Sequence, residues 1–124
     1  MELMDKAIEA KKNSYSPYSH FKVGAALLTS DNEIYQGCNI ENVSYTPTCC
    51  AERVAFFKAI SDGKKQFKAI AINGDTPFCY PCGVCRQVMK EFCDDSFKIY
   101  IGNEKEFKEL TLKELLPYSF DMEK

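Results

Sequence analysis

No run of apolar residues in this chain approaches the roughly 20 that a membrane-spanning helix needs. The first residues, Met1-Glu2-Leu3-Met4-Asp5-Lys6, are charged from the second position onward. They lack the apolar stretch and small-residue cleavage site of a secretory leader, so a cytoplasmic location is expected. Internal repeats, low-complexity tracts and linkers are also lacking, and the 124 residues are read as one domain, 1–124. Neither sign of charge dominates: sixteen Lys and Arg stand against eighteen Asp and Glu, a net charge of −2. Docking on a phosphate backbone needs clustered surplus cation, so neither nucleic acid nor membrane is an expected partner. Hydrophobic residues make up 45%, too many for disorder. A chain of this size buries roughly two-thirds of its unfolded surface, enough for a core without disulfide staples.

Cysteine, by contrast, is plentiful. There are seven, at positions 38, 49, 50, 79, 82, 85 and 93. An odd number cannot close into a disulfide framework, and without an export signal such a cluster points to metal binding or catalysis.

The hydrophobic pattern predicts a first amphipathic helix over about residues 2–13, from Leu3, Met4, Ala7 and Ile8. A turn-rich stretch from Asn13 to Ser19 breaks it. Val23–Thr29 and Ile34–Ile40, joined by Ser30-Asp31-Asn32-Glu33, read as an antiparallel hairpin. A helix follows over about residues 49–61, with Ala51, Val54, Ala55, Phe57 and Ile60 apolar, closed by Asp62-Gly63. Phe67–Ile72 is a buried strand, and about residues 83–93 form a helix with Val84, Val88, Met89 and Phe92 on one side. Lys98–Ile101 is the next strand, followed by an optional edge strand. Thr111-Leu112-Lys113-Glu114 fits a capping box opening a last helix, stopped by Pro117. Strands alternating with helices from residue 50 to 101 predict right-handed crossovers and a sheet covered by helices on both faces.

This order puts Cys50 in the first turn of the second helix and Cys82 and Cys85 at the start of the third. Helix N-termini carry partial positive charge and orphan N–H groups, which favour thiolate over thiol. Two such helices side by side bring three soft ligands together and leave one tetrahedral position open, as in a catalytic zinc site. C-x-x-C alone is shared by zinc ribbons and redox motifs. A closed site with Cys49 or Cys79 as fourth ligand is therefore the alternative, the more so as Cys79 and Cys82 form a second such step. Glu52 favours the open site, because a carboxylate two residues from a ligand suits proton shuttling at a metal-activated water.

Cys50-Ala51-Glu52-Arg53 followed by Pro81-Cys82-Gly83-Val84-Cys85-Arg86-Gln87 resembles the zinc signature of the cytidine deaminase superfamily. Tyr15–Phe21, Val23–Leu28, Gly37–Asn42 and Leu115-Leu116-Pro117 extend the likeness to the small homotetrameric cytidine deaminases of nucleoside salvage, over roughly residues 3–120. The resemblance implies an α/β fold, a three-layer αβα sandwich around a mixed five-stranded sheet. It implies one Zn²⁺ per subunit on Cys50, Cys82 and Cys85, with Glu52 as catalytic acid and base. The implied reaction is hydrolytic deamination of cytidine and deoxycytidine to uridine and deoxyuridine, with release of ammonia, in pyrimidine salvage. By the same resemblance, Asn39 and Glu41 hold the ribose hydroxyls, Phe21 packs on the base, and Ala51 offers its backbone N–H to the pyrimidine carbonyl. Arg53 offsets the surplus negative charge of the sulfurs, and Phe120 reaches into a neighbouring subunit's site. The segment Thr76–Tyr80 is shorter than the family pattern, and Cys79 within it has no family role. Other superfamily members place histidine at the first ligand position. Here Cys50 holds it, leaving the single histidine, His20, as a solvated loop residue.

Two rival readings make different demands. A deaminase of polynucleotides would set Glu41 against a phosphate, with like-charge repulsion and no donor. A zinc-stabilised binding module would need four ligands and could dispense with Glu52. A chain this small has little depth in which to enclose a nucleoside, so active sites completed across a homotetramer are expected. The loop Asn42–Pro47 and the tail Leu116–Phe120, with aromatics beside polar turn residues, are the candidate docking segments.

Overall fold

In the computed structural model, which describes residues 1–124, the chain runs α1 (Glu2–Lys11), β1 (Val23–Thr29), β2 (Ile34–Cys38), α2 (Ala51–Ser61), β3 (Phe67–Gly74), α3 (Gly83–Phe92), β4 (Lys98–Gly102), β5 (Phe107–Thr111) and α4 (Leu112–Leu115). The five strands form one sheet in the order β2-β1-β3-β4-β5. β1 is antiparallel to β2 and to β3, β3 is parallel to β4, and β5 closes the edge antiparallel to β4. The edge strand is thus real. β2 and β3 share a direction with β1 between them, so α2 crosses over β1, while α3 joins the adjacent parallel pair β3 and β4. The predicted capping box is present, with the Thr111 hydroxyl accepting from the Glu114 N–H and the Glu114 carboxylate accepting from the Thr111 N–H.

Strand alternation sorts the core into two layers of different grain. Ala25, Leu27, Ile70, Ile72, Ile99 and Ile101 point to one face, under Ala51, Ala55, Phe56 and Ala59 of α2, Met89 of α3 and Leu112 of α4. Ala26, Ala69 and Ala71 point to the other, under Leu3, Met4 and Ala7 of α1. The helices therefore cover both faces, α1 alone on one and the other three opposite, giving the αβα sandwich.

Helix faces are where the sequence pattern misleads. In α2 the buried aromatic is Phe56, edge-on to Phe67 at 5.2 Å between ring centroids, whereas Phe57 is exposed. The helix is apolar on several sides, so periodicity alone does not choose its inward face. Val84, expected on the buried side of α3, is exposed as well. Boundaries also shift: α1 stops at Lys11, and α2 begins at Ala51, so Cys50 is its N-cap residue and not part of its first turn.

Two glycines set how closely the helices sit on the sheet. A Cβ on Gly24 would lie 2.0 Å from the Ala7 carbonyl oxygen of α1, and one on Gly37 would lie 2.3 Å from the Ala51 carbonyl oxygen of α2. Backbone approaches this tight admit no side chain. Gly24→Ala and Gly37→Ala should each lower stability by about 1–3 kcal/mol through overpacking. Only Gly37→Ala, which presses on the first turn of α2, should also displace Cys50 and Glu52. Thermal unfolding together with the metal content of the two variants checks the difference.

Candidate active site

Both crossover helices start at the carboxyl ends of the parallel strands that precede them, the usual place for a ligand crevice in an open α/β sheet. β2 ends at Cys38 and leads through Asn39 and Glu41 to α2; β3 ends at Gly74 and leads to α3. β1 runs the other way, so its first residue, Val23, lies opposite Gly74 and brings Phe21 to the same end.

Here the sulfurs of Cys50, Cys82 and Cys85 all lie within 4.8 Å of one another. Cys50 Sγ is 3.9 Å from Cys82 Sγ, which is 3.4 Å from Cys85 Sγ. Cys50 and Cys82 are the N-cap residues of α2 and α3, and the Cys82 sulfur accepts from the Cys85 N–H. The hydrogen bond from Cys85, with Arg53 alongside, draws the Cys50 thiol well below its ordinary range. The same bond and burial drive Cys85 far upward. One thiolate is thus tolerated where three would repel, and only a cation among them allows all three to ionise. Cys49 and Cys79 stay outside the cluster; burial raises both, Cys79 to about 11, so each is a neutral thiol. Three soft donors with one side open toward a cleft fit a catalytic zinc ion and not a closed four-sulfur site.

Arg53 donates from Nη2 to the Cys50 sulfur at 3.1 Å. Burial works against its charge, but the bonds to the Cys50 and Cys85 sulfurs outweigh this and raise its pKa. Its Nε is buried without a partner. This is not a surface arginine.

Glu52 is 4% exposed, and burial raises its carboxyl to about 7. A cation in the sulfur cluster opposes that shift by favouring the carboxylate. Either way, a buried carboxyl beside the cluster is placed to hold or release a proton near neutral pH.

The cleft over the cluster has a volume of about 240 Å³ and is lined by Val23, Asn39, Glu41, Thr48, Cys49, Cys50, Ala51, Glu52, Cys79, Tyr80 and Cys82. It therefore unites Asn39, Glu41, Ala51 and Glu52 with two of the sulfurs. The N–H of Ala51 heads α2 with no intrahelical partner. Asn39 is more heavily engaged than its expected role requires. Its Oδ1 accepts from the Val23 N–H at 2.9 Å and from the Ser14 hydroxyl, and its Nδ2 donates to the Phe21 carbonyl at 2.8 Å. One Nδ2 hydrogen remains for a ligand, and the rest of the amide ties the Phe21 segment to the end of β2. Glu41 accepts from the N–H groups of Tyr18 and Ser19 at 3.0 and 3.1 Å. Its carboxyl is held below the usual range, first by the Ser19 hydroxyl and then by these backbone donors.

Phe21 does not line the cleft directly; its ring stands behind it, near Gly74 and Cys79. His20 is exposed, as expected of a loop residue. Phe120 lies outside its own cleft with 68% of its surface exposed, its carbonyl held by Gln87 Nε2 at 3.0 Å. Sequence reasoning missed Thr48 and Tyr80 as lining residues, and Arg86 as a brace. The Arg86 guanidinium donates to the carbonyls of Pro81 and Leu115, fastening the start of α3 to the end of α4. The Arg-Gln pair following Cys85 is the only sequence signal for that role.

Residues 1–101 match the family described as "Cytidine and deoxycytidylate deaminase zinc-binding region". A cytidine deaminase of Sporosarcina psychrophila is 51% identical over 124 residues, spanning 98% of this chain and 91% of that protein. The crystal structure of cytidine deaminase from Burkholderia pseudomallei superposes with a TM-score of 0.92 at 41% identity, covering 96% of this chain and 97% of that one. The corresponding enzyme of Mycobacterium tuberculosis gives 0.85 at 36% identity, covering 98% and 96%.

Replacing Cys50, Cys82 or Cys85 by Ala should abolish binding of one zinc ion per chain, whereas Cys49→Ala and Cys79→Ala should retain it. Metal analysis of the purified variants decides this; a Cys79→Ala protein stripped of zinc would restore the closed-site reading.

Proposed function

The chain belongs to the cytidine and deoxycytidylate deaminase family, and from that premise we propose that it hydrolyses both cytidine and deoxycytidine, releasing ammonia, in cytoplasmic pyrimidine salvage. Its activity is that of a cytidine deaminase, a hydrolase acting on the exocyclic C–N bond of the ring, and its cofactor is one zinc ion per subunit. The observation that carries the fuller reading is the buried Glu52 carboxyl beside the three-sulfur cluster, in a cleft that also holds Asn39 and Glu41.

Held by Cys50, Cys82 and Cys85, zinc would supply Lewis-acid activation of a water molecule near neutral pH. Glu52 accepts that water's proton and hands it to N3 of the ring, which makes C4 more electrophilic. The water oxygen adds at C4; Glu52 then takes the remaining proton from the new C4 hydroxyl and delivers it to the amino group, which leaves as ammonia as the C4 carbonyl forms. The Ala51 N–H orients the pyrimidine carbonyl, Phe21 backs the base, and Asn39 and Glu41 take the sugar hydroxyls. Arg53 offsets the net negative charge that three thiolates leave around a divalent ion. The 124 residues act as one catalytic domain.

A panel of cytidine, deoxycytidine, free cytosine, CMP and adenosine, assayed for ammonia release, tests this reading. Both nucleosides should turn over, and free cytosine poorly, because remote sugar contacts help position the ring. Glu52→Gln should lose nearly all turnover while keeping zinc and fold, since the amide keeps the shape but moves no proton. Adenosine turned over with cytidine inert would overturn the substrate assignment, and loss of zinc in Glu52→Gln would make that residue structural.

The working unit in this reading is a homotetramer with shared sites. A cleft of about 240 Å³ falls below the roughly 300–1,000 Å³ of self-sufficient ligand pockets. Val43, Tyr45, Tyr118 and Phe120 stand exposed around it and on the tail, as docking segments would. Sedimentation should give about four chains per particle. Phe120→Ala should raise KM without loss of zinc, and a fully active monomer would end the shared-site idea.

A further inference from the structure

One wall of the cleft is held in place in an unusual way. Between Gly74 at the end of β3 and Pro81 before the ligand pair, Thr76–Tyr80 has no regular structure, and Cys79 and Tyr80 line the cleft. No N–H or C=O of these five residues takes part in a hydrogen bond. A segment without backbone bonds keeps its conformational entropy unless side chains restrain it.

Phe78 and Cys79 pack against the edge of the main core, and two further restraints act on the segment. The Cys79 side chain is seated on Gly74, where an added Cβ would lie 2.6 Å from Cys79 Cβ. The second comes from the far edge of the sheet. Lys108 of β5 pairs with Ile101, so it projects from the face that carries α2 and α3, at the carboxyl end of β4. Its ammonium lies 4.4 Å from the centroid of the Phe78 ring and 5.6 Å from that of Tyr80, and donates to the Tyr80 hydroxyl at 2.9 Å. It has no carboxylate partner. The cation is committed to the face of Phe78 and the hydroxyl of Tyr80.

We propose that Lys108 is a positioning residue that clamps Phe78 and Tyr80 and so sets the wall against which the nucleoside binds. This rests on the assignment of the cleft as the nucleoside site. Lys108 touches no reacting atom. Without it Phe78 keeps only its contact with the core edge and Tyr80 is loose in the free enzyme, so substrate binding must order this part of the wall. That cost enters KM, while the geometry around Glu52 and the sulfurs, set by α2 and α3, is unchanged.

The test compares Lys108→Met, which keeps the aliphatic stem, with Lys108→Arg, which keeps the cation. Both are made in the zinc-loaded full chain. Losing an exposed cation–π contact and one hydrogen bond should raise KM for cytidine about three- to tenfold in Lys108→Met, with kcat within about twofold. Zinc content and melting temperature should match wild type, and Lys108→Arg should restore KM. Chymotrypsin should cut the Phe78–Cys79 bond faster in Lys108→Met than in the other two proteins, Pro81 protecting the bond after Tyr80. An unchanged KM, an equal rise in Lys108→Arg, or a fall in kcat with loss of zinc would each overturn the proposal. If wild type fails to turn over cytidine, the assignment of the cleft fails, and the cleavage rates alone then decide whether the clamp exists.

Discussion

Three thiols whose sulfurs lie within 4.8 Å of one another cannot all ionise unless a cation sits among them. Most of what is distinctive in this structure can be traced to that repulsion. Cys50 and Cys82 occupy helix N-caps, where the helix dipole and free N–H groups favour negative charge. The Arg53 guanidinium is drawn down onto the Cys50 sulfur, with its Nε buried and unpartnered. An arginine so placed makes sense beside an anionic metal centre and very little sense elsewhere. The open side of the cluster faces the cleft that holds Glu52, so the charge that gathers the ligands also borders the group that moves protons in the proposed reaction.

The sheet brings this about through direction and grain. Because β2 and β3 run the same way, both crossover helices begin at one end of the molecule, and the antiparallel β1 delivers Val23 and the Phe21 segment to that end too. Small residues control the depth of packing. Gly37 allows the first turn of α2 to rest directly on β2, and alanines line the sheet beneath α1. The site is therefore carried by regular elements in tight register, with a loop supplying Asn39 and Glu41 to the cleft.

Around this centre, polar side chains act as fasteners as much as ligand contacts. Asn39 spends most of its amide on Ser14, Phe21 and Val23, and Glu41 is already bonded to the Tyr18–Ser19 turn. Such bonds hold both groups in one orientation before any ligand arrives, which lowers the entropy cost of binding. Arg86 and Gln87 do the same for the C-terminal tail, anchoring its backbone while the Phe120 ring remains free.

Much of this was legible in the chain alone. The elements followed from periodicity and turn residues, and the capping box lay where Thr111–Glu114 suggested; the optional edge strand took its place, Phe107–Thr111, only in the fold. The chemistry of the site was legible because spacing is local. Cys50 with Glu52, and Cys82 with Cys85, each pair an N-cap residue with one in the turn that follows, and that geometry is the same in every fold. What the chain did not disclose depends on packing between distant segments. Phe56, not Phe57, faces the core because the sheet selects one side of a helix that is apolar on several. Whether Cys79 joins the metal ligands was open in the sequence, and the seating of its side chain on Gly74 keeps it out of the cluster. The reach of Lys108 to the Phe78 ring and the Tyr80 hydroxyl has no sequence signal at all. It exists because β5 folds back beside β4 and carries a residue from position 108 to one at position 80, and only the sheet's strand order sets that proximity.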